Sequence, residues 1–144
     1  NTRAIIGFGA AAAFVLDELV ERNAAIATLR ERLETGMRKA AVDVIIHGAE
    51  VERVANTTFF TLPSLKAETG QIAFDIEGIA LSAGSACSSG KVGESHVLTA
   101  MGKDPKLGGL RISLGVSTSE AEIDQALAAF EKIASRRKPA GQAA

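Results

Sequence analysis

Four short runs of strand character punctuate this chain, at residues 42–47, 56–62, 79–81 and 110–114. They are rich in Val, Ile, Thr, Phe and Leu; the first closes on Gly48 and the second on Pro63. Helical periodicity fills much of what lies between, at irregular intervals. Few, short strands interleaved in this way predict an α+β fold, a small, mainly antiparallel sheet covered by helices. The helices read as follows. One runs from Thr2 to about Asn23, with Ile5, Phe8, Val15, Leu16 and Leu19 among alanines. A second runs from Ala24 to Arg38, with Ile26, Leu29, Leu33 and Met37 on one stripe opposite Arg30, Glu31 and Glu34, and Gly36 in its last turn. Thr69 caps a third from Gly70 to Glu77, stopped by Gly78, and the run at 79–81 follows as a strand. Glu94 or Ser95 starts a short helix from His96 to Met101, ended by Gly102. Ser119 and Glu122 form a capping box ahead of Ile123, Ala126, Leu127, Phe130 and Ile133.

A chain of 144 residues suits one compact domain with a sizeable core. Residues 1–38 read as helices that lead into it, 39–134 as the domain itself, and 135–144 as a solvated tail carrying Arg136, Arg137 and Lys138. The net charge of −1 gives no field to draw nucleic acid or a membrane surface. Without Trp or Tyr, a base-stacking surface is poorly supplied. No apolar run approaches a membrane span. The first residue is Asn1 rather than Met, the mark of a piece of a longer protein or of a processed product. The stretch Gly7-Phe8-Gly9-Ala10-Ala11-Ala12 matches a dinucleotide-binding pattern, but that motif needs a preceding strand, and six residues leave no room for one. Close helix packing through small residues is the plainer reading.

The single cysteine, Cys87, lies between Gly84-Ser85-Ala86 and Ser88-Ser89-Gly90. One cysteine makes no internal disulfide and suits a reducing compartment. Small neighbours leave a thiol uncovered, whereas a packing cysteine sits among large apolar residues. Composition leaves Cys87 open between a nucleophile or sulfur carrier and a cysteine without a role. Lys91, His96 and Arg111 are the cations available to favour its thiolate. Arg111 lies in a strand between Leu110 and Ile112, and alternation turns it away from both. There a guanidinium can grip a carboxylate with two hydrogen bonds; an arginine on a solvated sheet face is the commoner case. His47 ends a strand beside Gly48 and reads as a turn residue, and His96 as a local hydrogen-bonding residue at a helix start. One cysteine and two distant histidines do not make a metal site.

The segment Ser82-Ala83-Gly84-Ser85-Ala86-Cys87-Ser88-Ser89-Gly90, with Glu94-Ser95-His96-Val97-Leu98 and Ala100-Met101-Gly102 behind it, resembles the active-cysteine segment of cysteine desulfurases. The branch serving nitrogenase and iron–sulfur cluster assembly matches best. Leu110-Arg111-Ile112-Ser113-Leu114-Gly115 is similar to that family's arginine strand. Arg53-Val54-Ala55-Asn56-Thr57 resembles its R-x-P-N-T stretch, with Ala55 in place of proline. The resemblance implies the small C-terminal domain of a fold-type I transferase dependent on pyridoxal 5′-phosphate. It implies an activity that takes sulfur from L-cysteine, releases alanine and leaves a persulfide. By motif match Cys87 is the persulfide carrier and Arg111 binds the substrate carboxylate. It further implies a sulfur acceptor or iron–sulfur scaffold protein as partner, a homodimer when full-length and a cytoplasmic setting, with no nucleic acid and no membrane. The family's cofactor lysine, its ring-stacking histidine and its pyridine-pairing aspartate match nothing here, so this chain alone is expected not to turn over cysteine. Two other readings stay open: a non-catalytic sulfur carrier or docking module, and a domain of a related lyase or aminotransferase with Cys87 incidental.

Overall fold

The computed structural model describes residues 1–83 and 95–137. Helix α1 spans Thr2–Ala40 without interruption. The break expected near Asn23 is absent because nothing there enforces one. The stretch from Asn23 to Thr28 holds neither Pro nor Gly and is mostly alanine and isoleucine, so the helix propagates through it. Gly36 does not end the helix either. A Cβ at this position would lie 2.5 Å from Leu127 Cδ2, so glycine is what lets the neighbouring helix approach so closely. The turn stops at Ala41, whose N–H bonds to the Met37 carbonyl.

Strands β1 (Ile45–His47), β2 (Thr57–Thr61), β3 (Ser82–Ala83) and β4 (Leu110–Ser113) form one antiparallel sheet in the order β1-β2-β4-β3. The apolar run at 79–81 is not a strand. Ile79 is tied by its N–H to the Phe74 carbonyl, and Ile79 and Leu81 pack against the core, so pairing begins only at Ser82. Helix α2 (Ala67–Ile76) begins before Thr69, at Lys66, with no side-chain cap. Gly78 at φ +79° ends it as expected. Helix α3 (His96–Ala100) is capped by the Ser95 hydroxyl on the Leu98 N–H.

Helix α4 (Glu120–Arg136) carries the full capping box: Ser119 Oγ accepts from the Glu122 N–H, and the Glu122 carboxylate accepts from the Ser119 N–H at 2.7 Å. The Ser119 backbone N–H, and then its hydroxyl, hold the Glu122 carboxyl below its ordinary range. Ser119→Ala is expected to cost about 1 kcal/mol of stability, read as a lower urea midpoint at unchanged slope. The helix continues two residues into the stretch read as tail. Beyond it, Arg137 pairs with both carboxylate oxygens of Asp43 and donates to the Pro63 carbonyl at 2.9 Å, so a partly buried ion pair holds this end to the body.

One sheet face, with Phe60, Leu110 and Ile112, meets Leu33 and Met37 of α1, Phe74 of α2, and Phe130 and Ile133 of α4. The first half of α1 extends away from this core, with Ile5, Ile6 and Phe8 exposed. A Cβ at Gly7 or Gly9 would meet nothing within 4 Å, so the small residues there pack against no described element.

Candidate functional site

The sheet face turned away from the helices carries one row of register partners across all four strands. His47 pairs with Phe59, Phe59 with Arg111, and Arg111 with Ser82. Strand alternation puts Leu110 and Ile112 into the core and Arg111 out, as expected from the sequence. The guanidinium is exposed, and its one hydrogen bond among the described residues is a long one, 3.5 Å from Nη2 to Ser82 Oγ. Nearly all its donors are therefore unused by the described residues, and a carboxylate can take two at once. Ser82 and Ala83 lead the chain into the segment that contains Cys87. Cys87 and Lys91 lie outside the described residues. His96 is exposed on α3.

His47 is not a turn residue. Only 5% exposed, it lies on this row with its ring 5.0 Å from that of Phe59. Burial, and then the charge of Lys103, push its pKa below the ordinary histidine value. Glu34 is a second surprise. Expected on the solvated side of α1, it is 3% exposed. Arg53 donates to both its oxygens at 2.7 Å, and the Thr58 hydroxyl donates at 2.8 Å. Arg30 and Arg38 lie 4.0 Å away. Burial alone would raise the Glu34 pKa. Hydrogen bonds from Arg53 and Thr58 and the charges of Arg53 and Arg30 outweigh it, and the carboxyl lies below its ordinary range. The only sequence signal was Arg53 in the R-x-P-N-T-like stretch, which did not name its partner.

Pyridoxal phosphate chemistry needs a lysine shielded from water. Lys39, Lys66, Lys103, Lys106 and Lys132 are all exposed, so the described residues do not by themselves fit that cofactor. They hold no cluster of three or more potential metal ligands, and no helix among them is long and apolar enough to cross a membrane.

A family described as aminotransferase class-V matches residues 1–126. A cysteine desulfurase of Sinorhizobium fredii is 39% identical over 129 residues, 88% of this chain and 33% of that protein. An IscS-like cysteine desulfurase of Mycobacterium tuberculosis is 37% identical over 142 residues, 96% of this chain and 36% of that protein. The crystal structure of a NifS-like protein from Rickettsia africae superposes with a TM-score of 0.78 at 36% identity, covering 92% of this chain and 34% of that one. The chain thus spans about a third of the length of these relatives.

Proposed function

We propose, on the premise that this chain belongs to the class-V aminotransferase family, that it carries the sulfur-accepting part of a cysteine desulfurase. The observation that carries this reading is the exposed Arg111 guanidinium, beside the strand that leads into the Cys87 segment. Arg111 binds the carboxylate of L-cysteine. The Cys87 sulfur forms a bond to the substrate sulfur as the substrate's carbon–sulfur bond breaks. The carbon keeps the bonding pair, takes a proton and leaves in alanine, so thiol plus cysteine gives persulfide plus alanine. Pyridoxal phosphate, when bound, supplies the electron sink that makes that carbon–sulfur bond breakable. A shielded lysine for it would have to come from outside the described residues.

In this reading the persulfide passes to an acceptor or iron–sulfur scaffold protein. The full-length protein is a homodimer, and a reducing setting such as the cytoplasm keeps Cys87 free as a thiol. The test uses the chain itself. After incubation with cysteine hydropersulfide as donor, mass spectrometry should find one added sulfur, localised to Cys87 and absent from Cys87→Ala. No added sulfur would count against the reading. So would release of alanine by this polypeptide from L-cysteine and pyridoxal phosphate, which is expected to be nil.

A further inference from the structure

Among the described residues the Arg111 guanidinium has almost no partner of its own, so within them its position depends on the backbone that carries it. That backbone enters β4 through a bend at Gly108, which has φ +64°, followed by Gly109. Two contacts pin the bend. The Thr61 hydroxyl donates to the Gly108 carbonyl at 2.6 Å. The Phe59 ring lies flush against Gly109, where a Cβ would come within 2.2 Å of Cε2. Both Thr61 and Phe59 are in turn touched by one side chain, His47. Its Nε2 lies 2.8 Å from Thr61 Oγ1, and its ring lies against Phe59.

The protons along this chain are determined by counting. A carbonyl only accepts, so the single Thr61 hydroxyl proton points at Gly108. Thr61 Oγ1 must then accept from His47, and His47 Nε2 carries the hydrogen. Nδ1 is left as a bare lone pair, buried and without a partner among the described residues. The cationic form would place an N–H at Nδ1 with no acceptor among the described residues and Lys103 as a like charge nearby. The imidazole is therefore confined to one neutral tautomer.

We infer that His47 is a positioning residue for Arg111, acting through Thr61 on the Gly108 carbonyl and through Phe59 on Gly109. Its importance for function rests on the reading of Arg111 as the carboxylate-binding group, but its test involves no substrate.

The experiment is NMR on the isotopically labelled 144-residue chain. Long-range proton–nitrogen spectra should show His47 with Nε2 protonated and Nδ1 bare, and no charging between about pH 8 and pH 6, where an ordinary histidine titrates. Three variants follow. His47→Phe keeps the ring contact and removes the donor, Thr61→Val removes the relay, and His47→Gln returns a side-chain N–H. In His47→Phe and Thr61→Val, amide exchange of Leu110, Arg111 and Ile112 should quicken about tenfold more than that of α4, whose amides report global stability. The Arg111 side-chain N–H resonance should move with it, and His47→Gln should restore both. An Nδ1-protonated tautomer, a loosening shared equally by β4 and α4, or a His47→Gln variant indistinguishable from His47→Phe each overturn the proposal. Should His47→Phe fail to fold, the tautomer in the unaltered chain and the comparison of Thr61→Val with Thr61→Ser still decide it. None of these results depends on whether Arg111 binds a carboxylate, which the activity of Arg111→Lys in a cysteine desulfurase assay of the longer protein addresses separately.

Discussion

Glu34→Ala should lower the stability of the chain by about 3–5 kcal/mol, the loss expected when one partner is removed from a buried ion pair. In urea this appears as a large fall in midpoint at nearly constant slope. Alanine leaves the partly buried Arg53 without its two carboxylate bonds, leaves the Thr58 hydroxyl without its acceptor, and deprives Arg30 and Arg38 of the anion between them. Arg53→Ala strands the carboxylate instead and should cost a comparable amount. The double variant should cost less than the two losses added, by about 0.5–3 kcal/mol, because the residues share one interaction. Strict additivity would refute the pairing as the source of the effect.

The pH dependence has a definite sign. The folded-state pKa of Glu34 is depressed, so the unfolded chain binds the proton more readily. The stabilisation is fully present above the ordinary carboxyl range, near pH 4 to 5, and drains away as pH falls through that range to the folded value. Glu34→Gln should therefore flatten part of the acid limb of the stability profile. An unchanged acid limb would argue that other carboxyl groups carry it.

Why Glu34 was misplaced from sequence also explains what could be read there and what could not. A helix stripe shows which residues face a single partner surface. Leu33 and Met37 obeyed that pattern and are fully buried. Glu34 lies off the stripe but under the chain around Arg53, nineteen residues on, and periodicity carries no information about a second covering segment. The same limit applies to His47. Its neighbours along the chain pointed to a turn, whereas its burial comes from a cross-strand row that exists only once the sheet is formed. Signals that act within a few residues were legible. The capping box at Ser119, the stops at Gly78 and Gly102, and the outward turn of Arg111 are all local rules, and all four appear in the structure. The continuity of α1 was missed because a polar residue such as Asn23 lowers helix propensity only slightly, and the alanines around it restore it. For Cys87 the sequence offered the small-residue segment and the family resemblance; that segment lies outside the described residues.

Phe60→Ala should be the most damaging change in the apolar core, at about 3–5 kcal/mol. Phe60 is fully buried on the helix-facing side of β2, and two rings meet it edge to face: Phe74 at 6.4 Å and Phe130 at 5.9 Å between centroids. Truncation loses the transfer energy of the ring and both aromatic contacts together. It also opens a cavity that cannot readily collapse, since the two rings that wall it belong to separate elements, each held elsewhere. Phe74 is on α2, tethered through the Ile79 N–H; Phe130 is on α4, tied at its start by the capping box and at its end by Arg137 and Asp43. Phe60→Leu keeps most of the volume and should cost clearly less. Ile6→Ser is the informative contrast. Ile6 is 66% exposed on the projecting half of α1, and its loss should move the urea midpoint by little, within about 0.5 kcal/mol. Equal losses at residues 6 and 60 would mean that the first half of α1 packs into the domain in solution, and would overturn the description of the core as centred on Phe60.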